Sequence, residues 1–414
     1  MAMAVPRRAR LLWAHWRAER RTLGQGLVAL TLSTVAGFVA GLTLAHITGT
    51  LERLPGLIVL IPAAVGMKGT IFGAIGARLG TANAAGLLEP HLRRGGILRR
   101  NVSVAVLTTF GSSLWLAVLA RIASAAFGEP SISVLELATI SVVGGAIGSL
   151  LILFITLAIS LQSHRRGWDL DSVATPMVTA LGDMTTLPSL FLATFLLRDE
   201  TVSAVAAAIC LLVAAGAIVR AYATPDRVVR RIVVEMTGTI VATPVLDILA
   251  GSFLRAREPQ LLAVPAVLSL VPPFVSQAGA LGGIFASRIT SKLQIGVITP
   301  RGMPEAPAVL DASLVVGLSA FTYTLIGILA WALAGLTGLA GTPPLGRLLA
   351  GTLLAGGLLT PVTLVASYYL AVLTYRFGLD PDNQSVPIIT SVMDLAGVAA
   401  VLFAMSVSGV LPHG

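Results

Sequence analysis

Stretches of about twenty apolar residues, interrupted only by isolated charges, recur along the whole chain. That length matches the roughly 30 Å hydrocarbon core of a bilayer. Inside hydrocarbon a backbone must pair its own N–H and C=O groups, and a helix does so within one segment. The pattern therefore predicts an all-α, polytopic transmembrane bundle. Composition agrees: 56% of the 414 residues are hydrophobic and 11% are charged. A soluble domain carries roughly 25% charged residues, so a soluble globule of this size would lack the polar surface to dissolve.

Apolar runs between charged and Pro/Gly-rich breaks give eleven expected spans: 22–48, 55–82, 102–126, 134–162, 173–197, 201–221, 231–254, 262–290, 307–337, 346–375 and 385–411. The first follows Arg7, Arg8, Arg10, Arg17, Arg20 and Arg21. No small-residue cleavage site separates it from the later spans, so it reads as a retained helix and not as a signal peptide. Basic residues gather in alternate loops, among them Arg93, Arg94, Arg165, Arg166, Arg230 and Arg231. By the positive-inside tendency the N-terminus is expected in the cytoplasm and, after an odd number of spans, the C-terminus outside. The net charge of +9 is loop charge on this reading. The expected partner is the lipid bilayer of the cell (plasma) membrane, and no nucleic acid is expected. The single cysteine, Cys210, excludes a disulfide framework within the chain.

The chain also repeats itself. Pro62, Gly69, Gly73, Arg78, Gly86 and Pro90 align with Pro272, Gly279, Gly283, Arg288, Gly296 and Pro300 at an offset of 210 residues. Asp169, Asp171, Pro176, Thr179 and Asp183 align with Asp380, Asp382, Pro387, Thr390 and Asp394 at an offset of 211. Chance similarity between apolar helices reproduces Leu, Val and Ala, not prolines and aspartates in order. The expected organisation is a basic cytoplasmic segment (1–21), a first five-helix repeat (22–199), a linker transmembrane helix with a cytoplasmic loop (200–229) and a second five-helix repeat (230–414). Five helices per repeat would invert the second copy, and the linker helix restores the parity. Two parallel repeats about an axis along the membrane normal are expected. Such a chain mimics a dimer, so a monomer is sufficient to build the axis.

Asp183 and Asp394 stand about ten residues into their helices, roughly 15 Å deep at 1.5 Å per residue. A carboxylate near the bilayer centre costs about 2.5–3.5 kcal/mol on insertion scales. A cation between two of them would offset that cost. Thr179 and Thr390 lie one turn earlier on the same helix faces, and Pro176 and Pro387 each free a backbone carbonyl. These are hard oxygen donors, suited to Mg²⁺ or Ca²⁺. Two readings stand for Asp169, Asp171, Asp380 and Asp382 at the cytoplasmic ends: helix N-caps, or an acidic vestibule. Gly69, Thr70, Gly73, Gly279 and Gly283 allow close helix packing and equally an unwound, path-lining segment. Lys68 has no counterpart, since Ala278 stands there, and is expected to face away or to pair with an acid. Asp247 and Asp311 are single-copy acids, read more readily as interhelical contacts than as proton or Na⁺ sites. Signatures of enzymes such as H-E-x-x-H, G-x-S-x-G or a Walker loop are missing, and no enzymatic activity or organic cofactor is expected.

The run Asp380-Pro-Asp-Asn-Gln-Ser-Val-Pro387-Ile-Ile-Thr390-Ser-Val-Met-Asp394-Leu-Ala-Gly397 resembles the fifth-helix pattern of the MgtE magnesium channels. It is similar also to their duplicated relatives in solute carrier family forty-one. Pro62 to Pro90 and Pro272 to Pro300 resemble the second-helix motif. The resemblance implies a divalent cation transporter or channel, with Asp183 and Asp394 holding a hydrated Mg²⁺ and the second and fifth helices of each copy lining its path. It implies a membrane domain without the cytosolic regulatory domains. Mg²⁺ is the expected transported ion, with Mn²⁺, Co²⁺ or Ca²⁺ as other divalent candidates. The family's asparagine after the second-helix glycine is replaced by Thr70 and Ala280. The competing function is a proton- or Na⁺-coupled transporter of another solute that uses the same aspartates as coupling sites.

Overall fold

The computed structural model describes residues 7–46, 50, 53–84, 87, 93, 95–128, 130–166, 170–338, 342–379 and 381–411. These residues form α-helices joined by short turns, with no strand among them. The helices are α1 (Arg7–Ala18), α2 (Arg20–His46), α3 (Leu57–Ala84), α4 (Ile97–Ala126), α5 (Val134–Arg166), α6 (Leu170–Thr194), α7 (Glu200–Ala223), α8 (Arg227–Ala256), α9 (Glu258–Ala263), α10 (Pro265–Gln294), α11 (Ala306–Thr337), α12 (Leu345–Arg376) and α13 (Pro381–Val407). The eleven expected spans correspond to α2–α8 and α10–α13, with ends that agree to within about five residues. Among the described residues, ten helices are long and apolar enough to cross a membrane. In the remaining one, α6, the apolar stretch is Met184–Leu197, which covers its C-terminal part and the single 3-10 turn Phe195–Leu197 that follows.

The basic segment at the N-terminus is more ordered than its charge suggested. It contains α1, whose Trp16 indole N–H donates to the Ser313 hydroxyl of α11 at 3.0 Å. The Trp16 ring lies against Gly317, one turn further along the same helix.

Burial separates the helices into two kinds. In the central windows of α3 and α10, 83% of residues are buried, against 22% in α7. Phe154 of α5 and Leu212 of α7 are each 74% exposed, apolar surface suited to lipid. Small residues explain how α3 and α10 reach the middle. Gly41 of α2 sits so close to α10 that an added Cβ would lie 2.5 Å from the Ser269 carbonyl oxygen. In hydrocarbon such close backbone approach replaces the hydrophobic drive that packs soluble helices. Pro62 in α3 and Pro272 and Pro273 in α10 interrupt the helical hydrogen-bond ladder without ending either helix. Gly338, with φ +67°, ends α11 in the left-handed cap that only glycine adopts freely.

The packing of the first helix in each set places the site. Helix α2 packs on α6, and also crosses to α10 and α11. Helix α8 packs on α13, and crosses to α3 and α4. At the centre α3 touches α13, and α10 touches α6. Helices from both halves of the sequence therefore meet around one interior space.

Candidate functional site

That space is a cavity of about 140 Å³ lined by α2, α3, α6, α8, α10 and α13. Among the described residues most of its wall is Ala, Val, Leu, Ile, Pro and Gly, and its polar groups are Asp247, Ser276, Thr390 and Asp394. Asp394 and Thr390 reach it from α13, one helical turn apart, as their spacing predicted. The Thr390 hydroxyl donates to the Pro387 carbonyl at 2.8 Å, which leaves its oxygen lone pairs free to accept. Gly69 and Gly279 line the same wall, together with the repeat-matched Pro62 and Pro272.

Other residues singled out in the sequence lie elsewhere or outside what is described. Thr70 is fully buried, its hydroxyl 3.4 Å from that of Thr243 on α8. Gly73 packs towards Val386, and Gly283 is buried within α10. Asp169 and Asp380 lie outside the described residues. Asp171, Pro176, Thr179, Asp183 and Asp382 belong to described helices, but their side chains are outside the description. Position 183 is one turn before Leu187, which lines the cavity.

Lys68 points away from this space. Its ammonium donates to the Gly145 carbonyl at 2.5 Å and to the Ser149 hydroxyl, both on α5. Asp311 is held by two cations instead, Arg288 at 2.9 Å and Lys292 at 2.5 Å, with the His15 ring at 3.5 Å.

Asp247 is the residue that sequence reasoning undervalued. It is 1% exposed, and neither carboxylate oxygen meets a hydrogen-bond partner at standard geometry. It adjoins the Asp394 carboxylate across the cavity. Two carboxylates this close repel each other unless positive charge sits between them. The available signal was a lone acid in the middle of the apolar helix α8. Repetition could not flag it, because the position 210 residues earlier is Gly37.

Comparison with known proteins places these features. Residues 61–193 and 271–404 each match the MgtE family, described as divalent cation transporter. The chain belongs to the MgtE family. The two matched segments begin 210 and end 211 residues apart, the offsets at which the prolines, glycines and aspartates coincide. Relatives include solute carrier family 41 member 2 of Gallus gallus, 25% identical over 91% of this chain and 68% of that protein. Solute carrier family 41 member 3 of Rattus norvegicus is 27% identical over 41% of this chain. The mouse member 3 (Mus musculus) is 28% identical over 33% of it. The matches span 38% and 28% of the rat and mouse proteins' own lengths. No solved structure matches the chain. As an MgtE-family member with ten apolar helices of spanning length among the described residues, the chain is a multi-pass membrane protein.

Proposed function

We propose that this MgtE-family chain carries divalent cations, Mg²⁺ foremost, across the cell membrane along a path between its two matched segments. One observation carries the reading: the Asp394 carboxylate and Thr390 line a cavity whose walls come from helices of both segments. The oxygen donors there are hard, and a hydrated divalent ion supplies the charge that a carboxylate in an apolar cavity lacks. Asp183, with Thr179 and Pro176, is the first-copy equivalent of Asp394, Thr390 and Pro387. Asp169, Asp171, Asp380 and Asp382 form the cytoplasmic approach. In this reading the two five-helix units run parallel, the N-terminus is cytoplasmic, and one chain suffices for the path.

The test is Mg²⁺ flux into proteoliposomes holding a Mg²⁺-sensitive dye. Asp394→Asn is expected to cut flux at least tenfold, and Asp183→Asn with Asp394→Asn to reduce it to background. Wild-type flux in the double variant would sink the site. Flux that needs a pH or Na⁺ gradient and is indifferent to competing divalent ions would favour the coupled transport of another solute.

A further inference from the structure

We propose that Asp247 is a direct ligand of the transported divalent cation, forming with Asp394 a two-carboxylate site set to the α8–α13 side of the cavity. The inference rests on the transport reading above and adds a residue that the repeat does not supply.

An acid with a purely structural role would be held by donors from the neighbouring helices. Asp247 is not held in that way: both of its oxygens are buried and neither makes a hydrogen bond of standard geometry, its polar neighbours being the Ser391 hydroxyl and the Asp394 carboxylate of α13, and it lines the cavity with Asp394. The packing makes room for the carboxylate. Gly66 of α3 lies directly against it, and a methyl group at position 66 would overlap the Asp247 carboxylate. On the α10 wall the Ser276 hydroxyl is also buried without a partner, and Thr390 offers its lone pairs. The polar side chains lining the cavity among the described residues are thus all oxygen donors, from three helices, around a space large enough for an ion that keeps several waters.

Protein cations are committed elsewhere among the described residues. Lys68 turns to α5, while Arg288 and Lys292 hold Asp311. A divalent ion with two charges matches the two carboxylates, and its ligation relieves their mutual repulsion. The soft thiolates that favour Cu(I) or zinc are missing from this wall.

The test uses the full chain in detergent and in proteoliposomes, with Mg²⁺ itself as probe. Wild-type protein is expected to gain thermal stability as Mg²⁺ is added, and to show saturable flux. Asp247→Asn, nearly isosteric, is expected to lose most of that Mg²⁺-dependent stabilisation and to raise the half-saturating concentration at least tenfold. Asp247→Glu should recover part of both. Asp394→Asn run in parallel separates the two readings. If Asp394→Asn loses stabilisation and flux while Asp247→Asn keeps wild-type values, the inference is overturned and the transport reading stands. If both variants keep wild-type values, the central site itself is wrong. Should Asp247→Asn fail to elute as a single species, Gly66→Ala takes its place. A displaced Asp247 carboxylate there is expected to weaken Mg²⁺ at least fivefold, and wild-type affinity would overturn the proposal.

Discussion

Arg288 donates to the Asp311 carboxylate at 2.9 Å, and 210 residues earlier Arg78 donates to the Asn101 amide oxygen at the same 2.9 Å. The geometry is duplicated; the charge is not. In the second copy Lys292 adds a 2.5 Å contact to Asp311, and Glu19, just before α2, reaches Arg288 at 3.2 Å. Through His15, Trp16 and Glu19 the N-terminal segment is fastened to α10 and α11.

Asp311→Asn would reproduce the first copy's chemistry in a place built for an anion. Arg288 would then keep Glu19 as its anionic partner, and Lys292 would keep the Pro307 carbonyl at 3.4 Å. Removing one partner of a buried ion pair costs about 3–5 kcal/mol, and the partial exposure of both cations places this case at the low end. We expect the melting temperature in detergent to fall by several degrees, with Glu19→Gln adding less than its own separate effect. An unchanged melting temperature would mean that solvent screens the cluster.

Asp226 makes a pH-dependent contribution at the entry to α8. Its carboxylate caps the helix, accepting from the Val228 N–H at 3.0 Å, and receives Arg100 Nε at 2.9 Å. The Arg100 hydrogen bond holds the Asp226 carboxyl below its ordinary range, and the backbone N–H groups act in the same direction. A folded-state pKa below the unfolded one means that the stabilisation is fully present above the unfolded value of about 3.9. It is lost as pH falls through the lower, folded value. The cap and this half-exposed ion pair together are worth about 1–2 kcal/mol. Asp226→Asn keeps a cap but not the charge, so we expect it to be less stable than wild type at pH 7. That gap should close below about pH 4, as followed by thermal melts across the range. A gap that widens in acid would contradict the assignment.

What the sequence made legible follows from which constraints are local. Span lengths are dictated by bilayer thickness, so eleven apolar runs lay within about five residues of the helices they became. Thr390 and Asp394 share a face through helical periodicity alone, and both reach the cavity. Asp247 was out of reach because its significance depends on α8 crossing to α3, a packing with no local signature. Selecting repeated residues also hid this acid, which, like Asp311, has no acidic counterpart in the first copy. The helical character of Arg7–Ala18 was masked by its arginines, and its docking depends on Ser313 and Gly317 nearly three hundred residues away.

Lys68 is a test of direction. A lysine facing the path would repel a divalent cation, and removing it would lower the half-saturating Mg²⁺ concentration. Here its ammonium is bound to Gly145 and Ser149 on α5, and Ser149 also contacts Thr109 at 3.0 Å. Lys68→Met removes the ammonium and keeps an apolar chain of similar length, at the cost of the donor to the Gly145 carbonyl and the Ser149 hydroxyl. We expect flux and Mg²⁺ affinity within about twofold of wild type. A tenfold gain in affinity would place the ammonium on the path.

The one-sidedness of the acid pair has a steric cause that can be measured. At position 247 the facing residue is Gly66, which leaves space for a carboxylate. At the matched position in α2, Gly37 faces Pro273, and an added Cβ would stand 2.9 Å from both Pro273 Cα and Cβ. Neither of those atoms can rotate away. Gly37→Ala therefore forces α2 and α10 apart, an overpacking that costs about 1–3 kcal/mol, and Gly37→Asp costs more. We expect Gly37→Ala to melt a few degrees below wild type while its Mg²⁺-dependent stabilisation survives, because Asp247 and Asp394 lie on other helices. Gly37→Asp should fail to create a second site and should reduce the yield of monodisperse protein. If Gly37→Asp instead purifies normally and binds Mg²⁺ more tightly, then α2 can yield, and sterics are not what keeps the first copy from carrying an acid at this position.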